Sequence, residues 1–160
     1  MAINPNTTFT AGAVYTADQS NRFPRGVVAR AISQTTYTLT TSGTAAIATG
    51  MTVTFTAEAN RYYRITYYEP QAQTPAVVGN TQSFLKESSA SGTVIGNGVF
   101  TNETATSIQI PLTIMRTKTF TAGTVTLVGT GSVTSTTGTP TFIRDSTREA
   151  LLLVEDIGPA

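Results

Sequence analysis

The chain has 160 residues, of which only 12% are charged, a formal net charge of +1, and no histidine, cysteine or tryptophan. That length fits one domain with a core of its own, and near-neutrality gives no electrostatic case for nucleic acid or an anionic membrane as a partner. The missing side chains remove the commonest general base, the commonest metal ligand and the thiol nucleophile.

Threonine occupies 34 of the 160 positions and mostly alternates with apolar residues. It is β-branched, stiff at χ1 and suited to a pleated, half-buried surface, so the composition points to sheet. Apolar residues make up 39%, too many for a disordered chain.

Residues 1–25 differ from the rest. They hold Pro5, Gly12 and Pro24 and only short apolar stretches. No basic segment followed by an apolar one opens the chain, so a secretory signal is not expected. Thr16 and Gln19 have capping-box spacing, so residues 17–23 read either as a two-turn helix ended by Pro24 or as a loop with one helical turn. The segment as a whole reads either as an ordered loop or as an arm that docks on a neighbouring subunit.

From Gly26 onward strand follows strand. Residues 26–32 form a short apolar strand, and residues 35–41 alternate threonine with Tyr37 and Leu39. Residues 51–57 have strict period two: Met51, Val53, Phe55 and Ala57 face a core, and three threonines face away. Asn60 marks a turn into residues 61–68, where four of the six tyrosines lie. Pro70 and Pro75 bracket a predicted loop, and residues 81–86 a short strand. Gly96 and Gly98 within residues 93–100 signal a bulge or a close backbone approach.

Residues 107–115 alternate again, with Ile108, Ile110, Leu112 and Ile114 inward. Pro111 there predicts an edge strand or a bulge. Residues 123–128 make another strand, residues 129–132 and 135–140 read as turn-rich, and residues 151–154, apolar on both faces, read as a central buried strand. No apolar run approaches the roughly 18–20 residues of a membrane span. About eight or nine strands at 8–12-residue spacing, with no βαβ rhythm, predict an all-β antiparallel sandwich, jelly-roll-like, preceded by an extended N-terminal arm. The expected domains are an arm at 1–25 and a sandwich at 26–160.

Catalytic, cofactor and metal residues are not expected. The nine acids form no DxD or calcium loop, and there is no GxSxG or P-loop. The Asn6 and Asn102 sequons have glycosylation spacing, which a threonine-rich chain produces by chance. Within the tyrosine-rich stretch, Tyr63, Ile65 and Tyr67 pack inward, leaving Tyr62, Arg64 and Tyr68 as an interface, a sugar contact or plain surface. The charge cluster Asp145, Arg148, Glu149 reads as salt bridges across a symmetry axis or as a solvated turn. Arg22, Arg25 and Arg30 are too few for a nucleic-acid stripe but suit acids on a neighbour.

Three segments carry a familiar pattern. Phe9, Thr10, Ala11 and Gly12, then Tyr15, Thr16, Ala17, Asn21 and the run Pro24, Arg25, Gly26, Val27, Val28, Ala29 resemble the opening of many tailed-bacteriophage virion structural proteins. Residues 53–57 with 60–65 resemble that family's "T-F-T-A-x-x-x-R-x-Y-R-I" strand pair, and residues 152–159 its closing "L-x-V-E-D-I-G-P". About a third of the chain is covered, in order; residues 70–140 match nothing familiar.

The resemblance implies a non-enzymatic virion component, assembled in the host cytoplasm, with major capsid protein or tail subunits as partners. The expectation taken forward is a homotrimeric head decoration or cement protein that staples capsid subunits. Its partner-binding candidates are Phe9, Thr10, Tyr15, Asn21, Arg22, Arg25, Tyr62, Arg64 and Tyr68. The alternative is a minor tail or fibre protein that binds host glycan.

Overall fold

A computed structural model describes residues 23–41 and 47–160. Every regular element among them is a strand: β1 Gly26–Ser33, β2 Tyr37–Thr38, β3 Ile47–Ala57, β4 Arg61–Gln73, β5 Gly79–Glu87, β6 Val94–Asn102, β7 Gln109–Thr119, β8 Gly123–Val133, β9 Thr141–Phe142 and β10 Ala150–Pro159. The predicted helix at 17–23 and the arm at 1–25 lie outside the described residues, apart from Phe23, Pro24 and Arg25.

Two antiparallel sheets face each other. The first runs β1-β10-β4-β7, with short β9 and β2 extending it beside the far end of β4; the second runs β3-β8-β5-β6. Among the long strands the pairing is nested: β1 with β10, β3 with β8, β4 with β7, β5 with β6. A hairpin folded over itself in this way is the jelly-roll wrap. It also brings the sheets together at both flanks, where β1 approaches β3 and β6 approaches β7.

The expected inward faces hold. Met51, Val53, Phe55 and Ala57 are buried, while the threonines between them are exposed. On β4 the buried set is Arg61, Tyr63, Ile65, Tyr67, Glu69 and, past the bulge, Ala72. Phe55, Tyr63 and Phe120 form an aromatic cluster with ring centroids 5.3–5.7 Å apart. Strand β10 lies between β1 and β4, central as predicted, but only one of its faces is buried: Leu151 and Leu153 on the other are half-buried, because that face of the sheet has no layer of described residues over it. Asn60 turns β3 into β4 with φ of 59°, a left-handed conformation that asparagine tolerates.

Three local expectations are corrected. Pro70 does not end the strand: β4 continues to Gln73. The ladder steps from Glu69 opposite Leu112 to Ala72 opposite Ile110, so Pro70 and Pro111 both fall in one bulge. Neither proline has an N–H, and the bulge is where neither needs one.

Residues 129–132 are not a turn but the continuation of β8. Their glycines make room for rings from the opposite sheet. A Cβ on Gly129 would lie 2.6 Å from Tyr67 Cζ, and one on Gly131 would meet the Phe142 ring and Leu39 Cδ2, the latter at 2.7 Å. The predicted strand at 35–41 shrinks to two residues, because Leu39 N–H bonds the Pro140 carbonyl outside any ladder, at 2.9 Å.

Two outcomes follow from this packing. Gly131→Ala would overpack the ring site and should cost about 1–3 kcal/mol or more, read as a lower urea midpoint with an unchanged slope. Thr130 is fully buried and its hydroxyl has no hydrogen-bond partner. Thr130→Val keeps the shape, removes an unsatisfied donor and should raise stability by about 1 kcal/mol in the same assay.

Candidate functional site

The outer face of the first sheet carries three of the residues that the sequence singled out, Tyr62, Arg64 and Tyr68. Strand register lays this face in rows: Ile32, Leu151, Tyr68, Thr113; then Arg30, Leu153, Thr66, Met115; then Glu155, Arg64, Thr117. Ile32 is 39% exposed and Met115 56%. Leu151, Leu153 and Tyr68 are half-buried, so the first two rows carry a partly solvent-facing apolar belt of Ile32, Leu151, Tyr68, Leu153 and Met115 across four strands, interrupted by Arg30, Thr66 and Thr113.

Tyr62, Arg64 and Tyr68 share this face but not one site. Tyr62 and Tyr68 are six strand residues apart, about 20 Å. Arg64 grips Glu155 with two bonds, of 2.9 and 3.0 Å. That pairing holds the Glu155 carboxyl below its usual range and occupies the guanidinium. Arg25 pairs with Glu58 beside the β3–β4 turn. Phe9, Thr10, Tyr15, Asn21 and Arg22 lie outside the described residues.

Beside Tyr68 lies a shallow groove of about 350 Å³ lined by Tyr68, Pro70, Ser146, Thr147, Arg148 and Glu149. One wall is the end of β4; the other is the turn before β10. Asp145 builds that turn. Its Oδ1 accepts from the Thr147 and Arg148 amides at 2.8 and 2.9 Å and from the Thr147 hydroxyl at 2.7 Å. Its Oδ2 accepts from Arg148 Nε at 2.9 Å.

Arg148 and Thr147 hold the Asp145 carboxyl far below the usual carboxylate range. Arg148 also donates to Gln71, and Gln34 donates to Glu149 at 2.6 Å. Asp145 and Arg148 thus pair within one turn, while Arg148 and Glu149 are also tied to Gln71 and Gln34. The turn's proximity to Tyr68 was not foreseen.

Two buried ion pairs were missed in the sequence. Arg61 pairs with Asp156 and also donates to the Phe23 carbonyl at 2.6 Å. Arg144 grips Glu69 through bonds of 2.9 and 2.5 Å and donates to Ser33 Oγ at 3.1 Å. Glu69 accepts a further bond from the Tyr67 hydroxyl, at 2.5 Å. Burial pushes the Glu69 carboxyl up, against the pull of Arg144 and Tyr67. Strand parity was the available signal: Arg61 and Glu69 lie in phase with Tyr63, Ile65 and Tyr67, hence inward.

The Asn102 sequon is structural. Asn102 is buried, and its amide donates to the carbonyls of Pro75 at 2.9 Å and Thr106 at 3.0 Å. Among the described residues no group of three or more histidine, cysteine or acidic side chains is placed to hold a metal ion.

No family model and no curated protein matches this chain. Solved structures similar to it include the tripod (BppUct-A-L) from the baseplate of bacteriophage Tuc2009, at 13% identity and a TM-score of 0.35, covering 94% of this chain and 72% of that one. They also include dimeric latent PorU from Porphyromonas gingivalis, at 9% identity and a TM-score of 0.34, covering 84% of this chain and 13% of that one.

Removing one partner of the fully buried pair leaves an uncompensated charge. Arg144→Met should therefore cost about 3–5 kcal/mol, whereas Arg144→Met combined with Glu69→Leu should recover most of that loss. Urea denaturation of the two variants against the parent checks both halves.

Proposed function

We propose that this chain is a non-enzymatic structural component of a tailed-phage virion, a homotrimeric decoration or cement protein that staples capsid subunits. The observation that carries this reading is the apolar belt on the first sheet's outer face. An exposed sheet face that presents Ile32, Leu151, Leu153, Tyr68 and Met115 together is what a protein surface offers to a partner rather than to water alone. Low charge suits a subunit covered by neighbours, and the resemblance of both chain ends to virion proteins supplies the kind of neighbour. Residues 1–25 would serve as the docking arm of the sandwich at 26–160.

A second reading is a minor tail or fibre component that contacts host glycan. The groove beside Tyr68 favours it, because an aromatic ring beside Ser146, Thr147, Arg148 and Glu149 offers a sugar both a stacking surface and hydrogen-bonding groups.

Purified particles test the main reading. Quantitative mass spectrometry with electron cryomicroscopy should find the protein in tens to hundreds of copies on the head lattice. A handful at the tail would favour the second reading, and absence from particles would overturn both. Leu153→Arg should abolish particle binding in a co-sedimentation assay while leaving the melting temperature within a few degrees of the parent. Undiminished binding would remove the belt from the interface.

A further inference from the structure

We propose that the groove between the end of β4 and the turn at residues 145–149 is a binding site for a neutral saccharide. This deepens the glycan reading above by naming the place and the chemistry. Binding by the isolated protein is measured without particles, so its outcome is independent of where in a virion the chain sits.

Three observations point to a sugar. The groove volume of about 350 Å³ lies at the low end of ligand-sized clefts, roughly 300–1,000 Å³, which suits one or two pyranose rings. Tyr68 and Pro70 give it an apolar wall. The C–H bonds of a pyranose carry slight positive charge and pack on the electron-rich face of a tyrosine ring. The rest of the lining is hydroxyl, guanidinium and carboxylate, from Ser146, Thr147, Arg148 and Glu149, which together donate to and accept from vicinal sugar hydroxyls.

Charge selects among sugars. The groove lining holds one cation, Arg148, and one anion, Glu149. Asp145 takes the Nε side of the Arg148 guanidinium, and Gln71 receives from it as well. No surplus positive charge is left for a sialic or uronic acid, and an anionic sugar would face both Glu149 and Asp145.

The polar groups are also fixed in advance. Asp145 organises the turn through bonds to Thr147 and Arg148, and Gln34 holds Glu149. Little conformational freedom is lost when a ligand arrives. Tyr62 and Arg64 do not belong to this site: the first is about 20 Å along the strand, and the second is engaged with Glu155.

The test is ligand titration of the full chain followed by two-dimensional NMR and saturation transfer. The probes are glucose, galactose, N-acetylglucosamine and rhamnose, with sialic acid as the charged comparison. Amide shifts at residues 68 and 146–149 with millimolar neutral sugar are the expected result. Tyr68→Ala should weaken the apparent affinity tenfold or more. Tyr68→Phe, which keeps the ring and serves as the folding control, should stay within about threefold, and Tyr62→Ala should match the parent. The proposal fails if none of the neutral sugars shifts those amides, if sialic acid alone does, or if Tyr68→Ala binds like Tyr62→Ala.

Discussion

The inward face of β4 is the constraint on which the rest of this sandwich depends. Tyr63, Ile65 and Tyr67 fill the middle of the core, and a charge closes the row at each end: Arg61 against Asp156, Glu69 against Arg144. Buried ion pairs add little net stability, since desolvation offsets much of the attraction. Their effect here is on register. A one-residue slip of β4 would turn its whole inward set to water. A two-residue slip would keep the parity but strand Arg61 and Glu69 away from their partners, leaving buried charges uncompensated. Alternative registers of β4 against its neighbours are thereby excluded.

The same face dictates the opposite sheet. Two large rings, Tyr67 and Phe142, need space where β8 crosses them, and Gly129 and Gly131 provide it. The glycines weaken β8 in intrinsic terms, yet that strand is buried on both faces from Leu127 to Val133 and paired on both sides, with β3 and β5. Packing and ladder bonds override propensity there.

This accounts for what the sequence disclosed. Strand β3 was legible because its period-two pattern has only one solution: apolar residues in, threonines out. The antiparallel sandwich followed from counting such runs. Strand β8 was misjudged past Val128 because its glycines answer rings that lie some sixty residues earlier or ten later in the chain. Pro70 was read as a break because a bulge that absorbs two prolines, one from each strand, is a property of the pair. The tyrosines were placed correctly by parity. The charges flanking them were not, since a charged residue at a core position makes sense only once its partner is known. The groove joins Tyr68 to residues 146–149, and no local pattern links segments so far apart.

The described parts of the segments that resemble phage virion proteins meet in the fold. Strands β1, β10 and β4 lie side by side, and the resemblance covers parts of all three. Arg61 of one segment pairs with Asp156 of another, Arg64 with Glu155, and the Phe23 carbonyl receives Arg61. The motif residues therefore act as fasteners of one corner of the sandwich. A pattern with that physical origin specifies how the domain closes, and it is compatible with many surfaces. Leu153 apart, the surfaces that would distinguish one such protein from another lie outside these segments. They are the apolar belt across β1, β10, β4 and β7, and the groove beside Tyr68, whose far wall comes from a turn outside every resembling segment.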